Sequence, residues 1–317
     1  MRLAHYFNNC GFYDVLAMGR DEVKGKELID RSIPFQAIDL ANSVKLSELK
    51  WSPKFIVHAA GFAAPWGTKK QFYVNNVTAT KNLLDFAWKK NVKRFIFISS
   101  SSVYSSLNDQ FNVRENHIPF RFISRYGQSK YLAEQAVMDA ARKGLPVIIL
   151  RPRAVIGTGD TNLLPRLIQA HQQRRLRKVN KDAVMSDVTT ITNLIEAVQV
   201  SLSSNASATA NVFNITDGKP LYLWPMIDGI FEELGFPPLE KELSWRSALV
   251  ISAMSEMFSR MSGRDPLLSR YLVSTLGTSL TLNIDKARRL LNYRPLQTSE
   301  QGLREYLQDF KKSIKHG

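Results

Sequence analysis

A chain of 317 residues that is 44% apolar and 22% charged has the balance of one large or two unequal globular domains, not of a disordered or fibrous protein. No apolar run reaches the length of a membrane span. The opening Met1-Arg2-Leu3-Ala4-His5-Tyr6 lacks the order of a secretory signal, and the single cysteine, Cys10, excludes an internal disulfide, so a cytoplasmic location is expected. The formal net charge is +15. Its basic groups at Lys69–Lys70, Lys89–Arg94, Arg174–Lys181 and Lys311–Lys315 fall on separate segments without interleaved aromatics, which argues for solvated faces and against a nucleic-acid groove. Five scattered histidines and one cysteine offer no metal cluster.

In chain order, residues 2–9 read as the end of a helix stopped by Gly11. Tyr13 to Met18 is a short buried strand. Pro34 to Ile38 is a second, ending at Asp39-Leu40, and Phe55 to Ala59 a third after the turn at Ser52-Pro53. Phe72 to Lys89 has helical period. Arg94 to Ile98 is a strand running into Ser99-Ser100-Ser101-Ser102, and Tyr126 to Arg142 is a helix closed by Gly144. Pro146 to Leu150 is a strand leading into Arg151-Pro152. Strands alternating with helices of this length predict an α/β fold with a parallel sheet covered on both faces. Later helices are expected at 163–173, 190–202, 222–234, 245–262, 284–291 and 298–312, with a late strand at 211–215 returning to the sheet. A sheet domain over 1–155 and a smaller, mostly helical lid over 156–317 follow, the lid lying at the carboxyl edge where open parallel sheets bind ligands. Within it, Trp245 to Met261 is amphipathic through Leu249, Val250, Ile251, Met254, Met257 and Phe258. Such a stripe predicts core or a subunit interface, hence room for a homodimer, ahead of a membrane contact.

The chemistry is concentrated in Tyr126-Gly127-Gln128-Ser129-Lys130. A tyrosine and a lysine four apart share a helix face. An ammonium beside a phenol favours the phenolate and makes the tyrosine a usable acid or base. A serine from the Ser99–Ser102 run can hold the substrate oxygen. The set suits interconversion of an alcohol and a carbonyl.

With these motifs in this order, nearly the whole chain resembles the extended short-chain dehydrogenase/reductases, in the branch of 3β-hydroxysteroid dehydrogenase-like and NAD-dependent epimerase/dehydratase-like proteins. The resemblance is carried by Val57-His58-Ala59-Ala60-Gly61, by Asn76 to Leu84, by Ser99 to Tyr104 and by Leu150-Arg151-Pro152-Arg153-Ala154-Val155 through Asp160. The closing Thr281 to Arg288 and Leu291-Asn292-Tyr293-Arg294-Pro295 continue it, with Ala79 and Asn292 where glycine is usual. It implies a Rossmann-like doubly wound sheet that binds a nicotinamide dinucleotide. Tyr126 would be the acid or base. Lys130 would lower its pKa and bind the nicotinamide ribose, with Asn76 supporting the lysine through water. Ser100, three before Val103, would be the catalytic serine, with Ser101 as competitor on the substrate side. Ala59, Ala60, Gly61, Ser99, Pro152 and Val155 would line the cofactor, and Trp66 and Arg153 the substrate. Asp39, with Leu40 beside it, would accept from the adenine amino group. Arg20, first after the strand at 13–18, suits a 2′-phosphate and favours NADP(H) over NAD(H). Gly157-Thr158-Gly159 reads as a substrate-side turn because position 162 is Asn and not a third glycine.

Relative to that family pattern about 15 residues are lacking at the front, including the central strand and the glycine-rich turn that holds the pyrophosphate. A start set too far downstream explains this better than a genuine truncation. A truncated chain would leave the strands at 13–18 and 55–59 without a shared neighbour and would bind a dinucleotide poorly. The function implied is an NAD(P)-dependent oxidoreductase acting on a secondary alcohol or a ketone of 3β-hydroxysteroid or 3-oxoacyl type. The alternatives are a nucleotide-sugar epimerase or dehydratase with held NAD, and a non-catalytic cofactor-sensing or scaffold protein. The partner expected is a small-molecule substrate, with no nucleic acid and no metal.

Overall fold

The computed structural model describes residues 1–160, 163–179 and 184–315. Asn162 and Lys181, named above, lie outside the described residues. The first half runs α1 (Arg2–Asn9), β1 (Ala17–Gly19), α2 (Glu22–Ile29), β2 (Phe35–Ala37), α3 (Ser43–Ser47) and β3 (Phe55–His58). It continues with α4 (Lys69–Phe72), a π-helical turn over Tyr73–Thr78, α5 (Ala79–Lys89) and β4 (Arg94–Ile98). A 3₁₀ turn at Ser101–Tyr104, β5 (Gln110–Val113), α6 (Arg125–Arg142) and β6 (Val147–Pro152) follow. The helix expected from Phe72 to Lys89 runs without a gap, with the π turn inside it.

β3, β4 and β6 pair in parallel, with β11 (Asn211–Ile215) added beside β6. Alternation along the strands builds two cores. Phe95 and Phe97 of β4, with Val147 and Ile149 of β6, pack on Leu83 and Ala87 of α5 and on Ala133 and Val137 of α6. Ile96, Ile98, Ile148 and Leu150 point the other way, onto Phe7 of α1. There they also meet Leu194, Ala197 and Val198 of the helix Ile191–Ser203. That helix therefore covers the back of the sheet and is no part of a lid. β1 and β2 pair only with each other. The strand expected from Tyr13 narrows to Ala17–Gly19, the stretch whose backbone pairs with β2, while Tyr13 and Val15 pack by their side chains against the back core and Tyr13 also against Phe55. As anticipated, β1 and β3 share no neighbouring strand among the described residues.

The second half contains β7 (Val155–Ile156), α7 (Leu163–Gln172), β8 (Lys178–Val179), β9 (Met185–Ser186), β10 (Thr189–Thr190) and α8 (Ile191–Ser203). After β11 come β12 (Leu221–Tyr222), α9 (Leu223–Glu233), β13 (Glu242–Leu243), α10 (Trp245–Ser262), α11 (Arg270–Gly277), β14 (Leu280–Leu282), α12 (Asp285–Leu290) and α13 (Ser299–Lys315). α11 and the short strands were not anticipated. The lid is less helical than expected, because β12, β9, β14 and β5 form a second, mixed sheet that ties residues 110–113 to it. Its core gathers Leu164, Ile168, Trp224, Ile227, Phe231, Ala248 and Val273. Asn292 stands at φ 54°, a left-handed conformation that asparagine tolerates second to glycine.

Of the amphipathic stripe of α10 only Leu249 packs on the core, and the rest faces the opposite way from the core expectation. The helix buries Ala248, Ser252, Glu256 and Ser259, while Val250, Ile251, Met254, Met257, Phe258 and Met261 are exposed. Glu256 explains the choice: its carboxylate takes the Arg270 backbone N–H at 2.8 Å and pairs with the Arg270 guanidinium at 2.8 Å, clamping α10 to α11. Among the described residues no helix is long and apolar enough to cross a membrane.

Candidate active site

The site is built where α6 starts against the end of β4. Ser124 caps α6, its Oγ accepting from the Gly127 N–H at 2.9 Å. Gly127 is needed for contact: a Cβ there would collide with the backbone carbonyl oxygen of Ser102. This backbone-to-backbone approach sets Tyr126 beside the serine turn that Ser100 begins. Ser100 and Ser102 Oγ atoms lie 3.0 Å apart, and Ser102 Oγ lies 2.9 Å from the hydroxyl of Tyr271 on α11. The rings of Tyr126 and Tyr271 meet edge-on with centroids 6.4 Å apart.

The electrostatics differ from the sequence expectation. Burial, reinforced by Tyr271, raises the Tyr126 pKa well above the ordinary phenol value, and the Ser100 hydrogen bond offsets only part of this. The lysine does not win because its ammonium is aimed elsewhere. Lys130 Nζ donates to the Ile98 carbonyl at 2.7 Å and sits 4.2 Å from the centroid of the Phe97 ring. Burial brings its own pKa down to about 8, against the pull of Glu134. His58, bonded to Thr80 at 2.9 Å, is kept neutral, its pKa lowered to about 3 by burial and by Lys130.

Below the site runs a buried ion pair that sequence reasoning missed. Glu134 holds Arg151 through two contacts, Oε1 to Nε at 2.9 Å and Oε2 to Nη2 at 2.5 Å. Arg151 also donates to the Tyr104 hydroxyl at 2.6 Å, which donates to Asn214 at 2.7 Å. Burial works against the Arg151 charge, but Glu134 and Tyr104 outweigh it and push the pKa above its ordinary value. A signal was available: Glu134 lies four and eight residues after Lys130 and Tyr126, on the same helix face.

The structure brings Ser100, Tyr126 and Lys130 to one place, with Asn76 next to it. Asn76, in the π turn, is fully engaged. It accepts the Phe62 N–H at 2.6 Å and donates to Phe62 O at 3.2 Å and to Ser129 Oγ at 2.8 Å. It thereby fixes the loop that begins at Gly61, where a Cβ would press to 3.2 Å from Asn76 Oδ1 and 3.9 Å from Lys130 Nζ. Ala59, Ala60 and Gly61 are exposed beyond β3. Arg20 and Asp39 face each other across the ends of β1 and β2 at 4.0 Å. Pro152 and Val155 lie at the end of β6 and in β7. Three residues stand apart from their expected places. The Ser99 hydroxyl donates to Glu134, away from the cleft. Leu40 is in the core, and its carbonyl is taken by Asn82 at 3.0 Å. Ser101 is buried in the 3₁₀ turn, whereas Ser100 precedes the turn and is half-buried. On the lid side Trp66 lies beneath Arg125, 5.7 Å from ring centroid to guanidinium. Arg153 is buried, its Nε 3.3 Å from Ser186 Oγ, with Asp187 and Tyr271 as its charge neighbours.

A parallel α/β sheet with a serine, a tyrosine and a lysine assembled at its carboxyl edge defines a Rossmann-type dinucleotide enzyme. Residues 1–216 match the NAD dependent epimerase/dehydratase family, and the chain belongs to it. It is 27% identical over 307 residues to a 2-alkyl-3-oxoalkanoate reductase of Stenotrophomonas maltophilia, covering 94% of this chain and 89% of that one. It is 28% identical over 265 residues to the decarboxylating sterol-4-alpha-carboxylate 3-dehydrogenase erg26 of Schizosaccharomyces pombe, covering 81% of this chain and 78% of that one. The crystal structure of UDP-glucose 4-epimerase with UDP-glucose from Thermotoga maritima superposes with a TM-score of 0.77 at 19% identity, covering 99% of this chain and 95% of that one. The chain is an NAD(P)-dependent enzyme of the dehydrogenase/reductase type.

The residues present fit the dinucleotide along the cleft. The exposed Ala59–Gly61 backbone lies past β3, with Asn76 and Lys130 crowded under a side-chain-free Gly61, and an Arg20–Asp39 ion pair stands at the ends of β1 and β2. Arg2, at the uncapped start of α1, lies against Gly159 on the lid side.

Proposed function

We propose that the chain reduces a ketone of 3-oxoacyl or 3-oxosteroid type, using NADP(H). The observation that carries this reading is the packing of the start of α6, with Tyr126 and Lys130, against the serine turn that carries Ser100 at the end of β4. A phenol and a serine hydroxyl side by side can protonate and hold a carbonyl oxygen, the chemistry that reduction of a ketone requires. Ser100 positions the carbonyl oxygen, and Tyr126 gives it a proton. Lys130 lies next to the ribose position at Gly61. Trp66 and Arg153 would line the substrate. The bound dinucleotide supplies the hydride.

The coenzyme preference rests on the two charged residues that follow β1. Asp21 caps α2, accepting from the Lys24 N–H at 3.1 Å and pairing with the Lys24 ammonium at 3.3 Å. The Asp21 carboxylate is thus engaged within α2, whereas the exposed Arg20 guanidinium, 4.0 Å from the Asp39 carboxylate, is within reach of a 2′-phosphate. The names of the two relatives, a 3-oxoalkanoate reductase and a sterol 3-dehydrogenase, support a substrate with an oxygen function at a third carbon. The test is a panel of 3-oxo acids, esters and steroids with NADPH and NADH, with the alcohol product identified by mass spectrometry. Tyr126→Phe is expected to lower kcat by about 100-fold or more. A phenylalanine variant as active as the wild type ends the proposal, as does tightly held coenzyme with no net reduction of any member of the panel.

A further inference from the structure

A small polar pocket opens between the segment that follows the serine turn and α11. Ser105 and Ser106 line it from one side, Ser274, Thr275 and Thr278 from the other, and Arg153 lines it as well. The pocket adjoins the candidate active site. Ser105 is the residue after the 3₁₀ turn Ser101–Tyr104. Thr275 stands one helical turn, about 5.4 Å, beyond Tyr271, and the Tyr271 hydroxyl lies 2.9 Å from Ser102 Oγ.

The hydroxyls that α11 contributes are spent on backbone carbonyls. Ser274 Oγ donates to Ser106 O at 2.6 Å, Thr275 Oγ1 to Tyr271 O at 2.9 Å and Thr278 Oγ1 to Ser274 O at 2.7 Å. Two buried donors are left over. Ser105 is 7% exposed, and its hydroxyl has no partner among the described residues. Arg153 is 6% exposed, with Nε 3.3 Å from Ser186 Oγ. Neither of its Nη groups has a hydrogen-bond partner, and its guanidinium pairs with no carboxylate, among the described residues. The neighbouring Asp187 turns Oδ2 to the Leu282 N–H at 2.6 Å instead. Arg151, two residues earlier and equally buried, shows the contrast, for it is paired with Glu134 at 2.5 Å. A buried guanidinium without a counter-charge is costly to keep, and a ligand that brings the charge relieves the cost. The two Nη groups form a fork that matches the two oxygens of a carboxylate.

We infer that Arg153 and Ser105 hold a carboxylate of the substrate, so that the enzyme acts on a free 3-oxo acid and not on its ester or on a neutral steroid. The inference rests on the reductase reading above. In a 3-oxo acid the ketone oxygen and the carboxylate oxygens are separated by three carbons, a reach comparable to one helical turn, so one molecule can meet the serine turn and the pocket together. No bond is made or broken at Arg153. It selects the acid and turns its ketone toward Ser100 and Tyr126.

The first test needs no turnover. 3-Hydroxyoctanoate and its methyl ester, neither of which carries a ketone to reduce, are titrated by calorimetry with and without NADPH, in enough salt to screen the net charge of the chain. The wild type should bind the acid roughly 10- to 100-fold more tightly than the ester. Arg153→Met should bring the two to near parity. Arg153→Lys, which keeps the charge and loses the fork, should fall between, and Ser105→Ala should narrow the gap by a few-fold. Circular dichroism checks that each variant is folded. In the ketone assay, the preference in kcat/KM for 3-oxooctanoate over its methyl ester should fall in the same order, chiefly through KM. A wild type that binds the ester as tightly as the acid overturns the inference, and so does a folded Arg153→Met protein that keeps the wild-type preference. Should Arg153→Met fail to fold, the wild-type pair of titrations and Ser105→Ala still decide. If the acid preference follows Arg153 but no ketone is reduced, the reductase reading fails and the carboxylate site stands.

Discussion

Replacing Gly127 by Ala adds one methyl group at the tightest backbone contact of the site. The new Cβ would overlap the Ser102 carbonyl oxygen, and relief requires α6 and the serine turn to separate by about 1 Å, the shortfall from ordinary van der Waals contact. Neither side yields easily: the oxygen belongs to backbone in a buried 3₁₀ turn, and Ser124 ties the start of α6 to Gly127 itself. Overpacking of this kind costs about 1–3 kcal/mol. Alanine regains about 1 kcal/mol of helix propensity over glycine. The net loss of stability should therefore be small, no more than about 2 kcal/mol. The effect on catalysis should be large, since a displacement of about 1 Å in a reacting group can cost on the order of 100-fold in rate. Thermal unfolding and ketone reduction on the same preparation separate the two. The expected result is a folded protein with a modestly lower Tm and a kcat near that of Tyr126→Phe. A Gly127→Ala protein more stable than the wild type and fully active would show that the contact does not set the position of Tyr126.

Glu134→Gln leaves the buried Arg151 without its counter-charge and should cost about 3–5 kcal/mol by urea unfolding, much of it recovered when Arg151 is also made Met; a loss below about 1 kcal/mol would refute the view that the pair supports the site. Asp187 is pushed up to about 6 by burial, against the opposing pull of the Leu282 N–H and Arg153. Its folded-state pKa is above its unfolded value, so the stability it contributes is complete below about pH 4 and is lost as pH rises through 6. Asp187→Asn should thus gain on the wild type between pH 4.5 and 7 in urea titrations, and a constant difference between the two proteins would contradict the assignment. Met254→Glu with Phe258→Glu should change stability by no more than about 0.5 kcal/mol per site, because both side chains are exposed. A larger loss, accompanied by a fall in sedimentation coefficient, would show that a second copy covers this face.

Much of the sheet was legible because β4 and β6 are short, apolar and flanked by helices with clear period; their pairing through Phe95–Ile98 and Val147–Leu150 follows directly. The Tyr126, Lys130 and Ser100 cluster was legible for the same reason, as each sits at a fixed offset from a strand end. Tyr271 was not, because nothing in Ser269-Arg270-Tyr271 indicates that α11 folds back over the serine turn 169 positions away. The direction of the Tyr126 shift was misread because spacing reports which residues share a face and not which carbonyl an ammonium finds. The orientation of α10 failed for a related reason: amphipathicity identifies two faces, and a buried Glu256 paired with Arg270 decided which one points inward.

β1 and β2 form a ladder of their own, joined to the four-stranded sheet by no strand-to-strand hydrogen bond among the described residues. They are held by the packing of Ile38, Leu40 and Leu46 and by the Asn82 bond to the Leu40 carbonyl. In terms of cooperativity, this corner should open without the rest, its amides exchanging with solvent faster than those of β4 and β6. Arg20 and Asp39 ride on it. The end of the cleft that would read the coenzyme's phosphate thus belongs to a separate unit of local unfolding, and occupancy by the coenzyme would slow exchange there first.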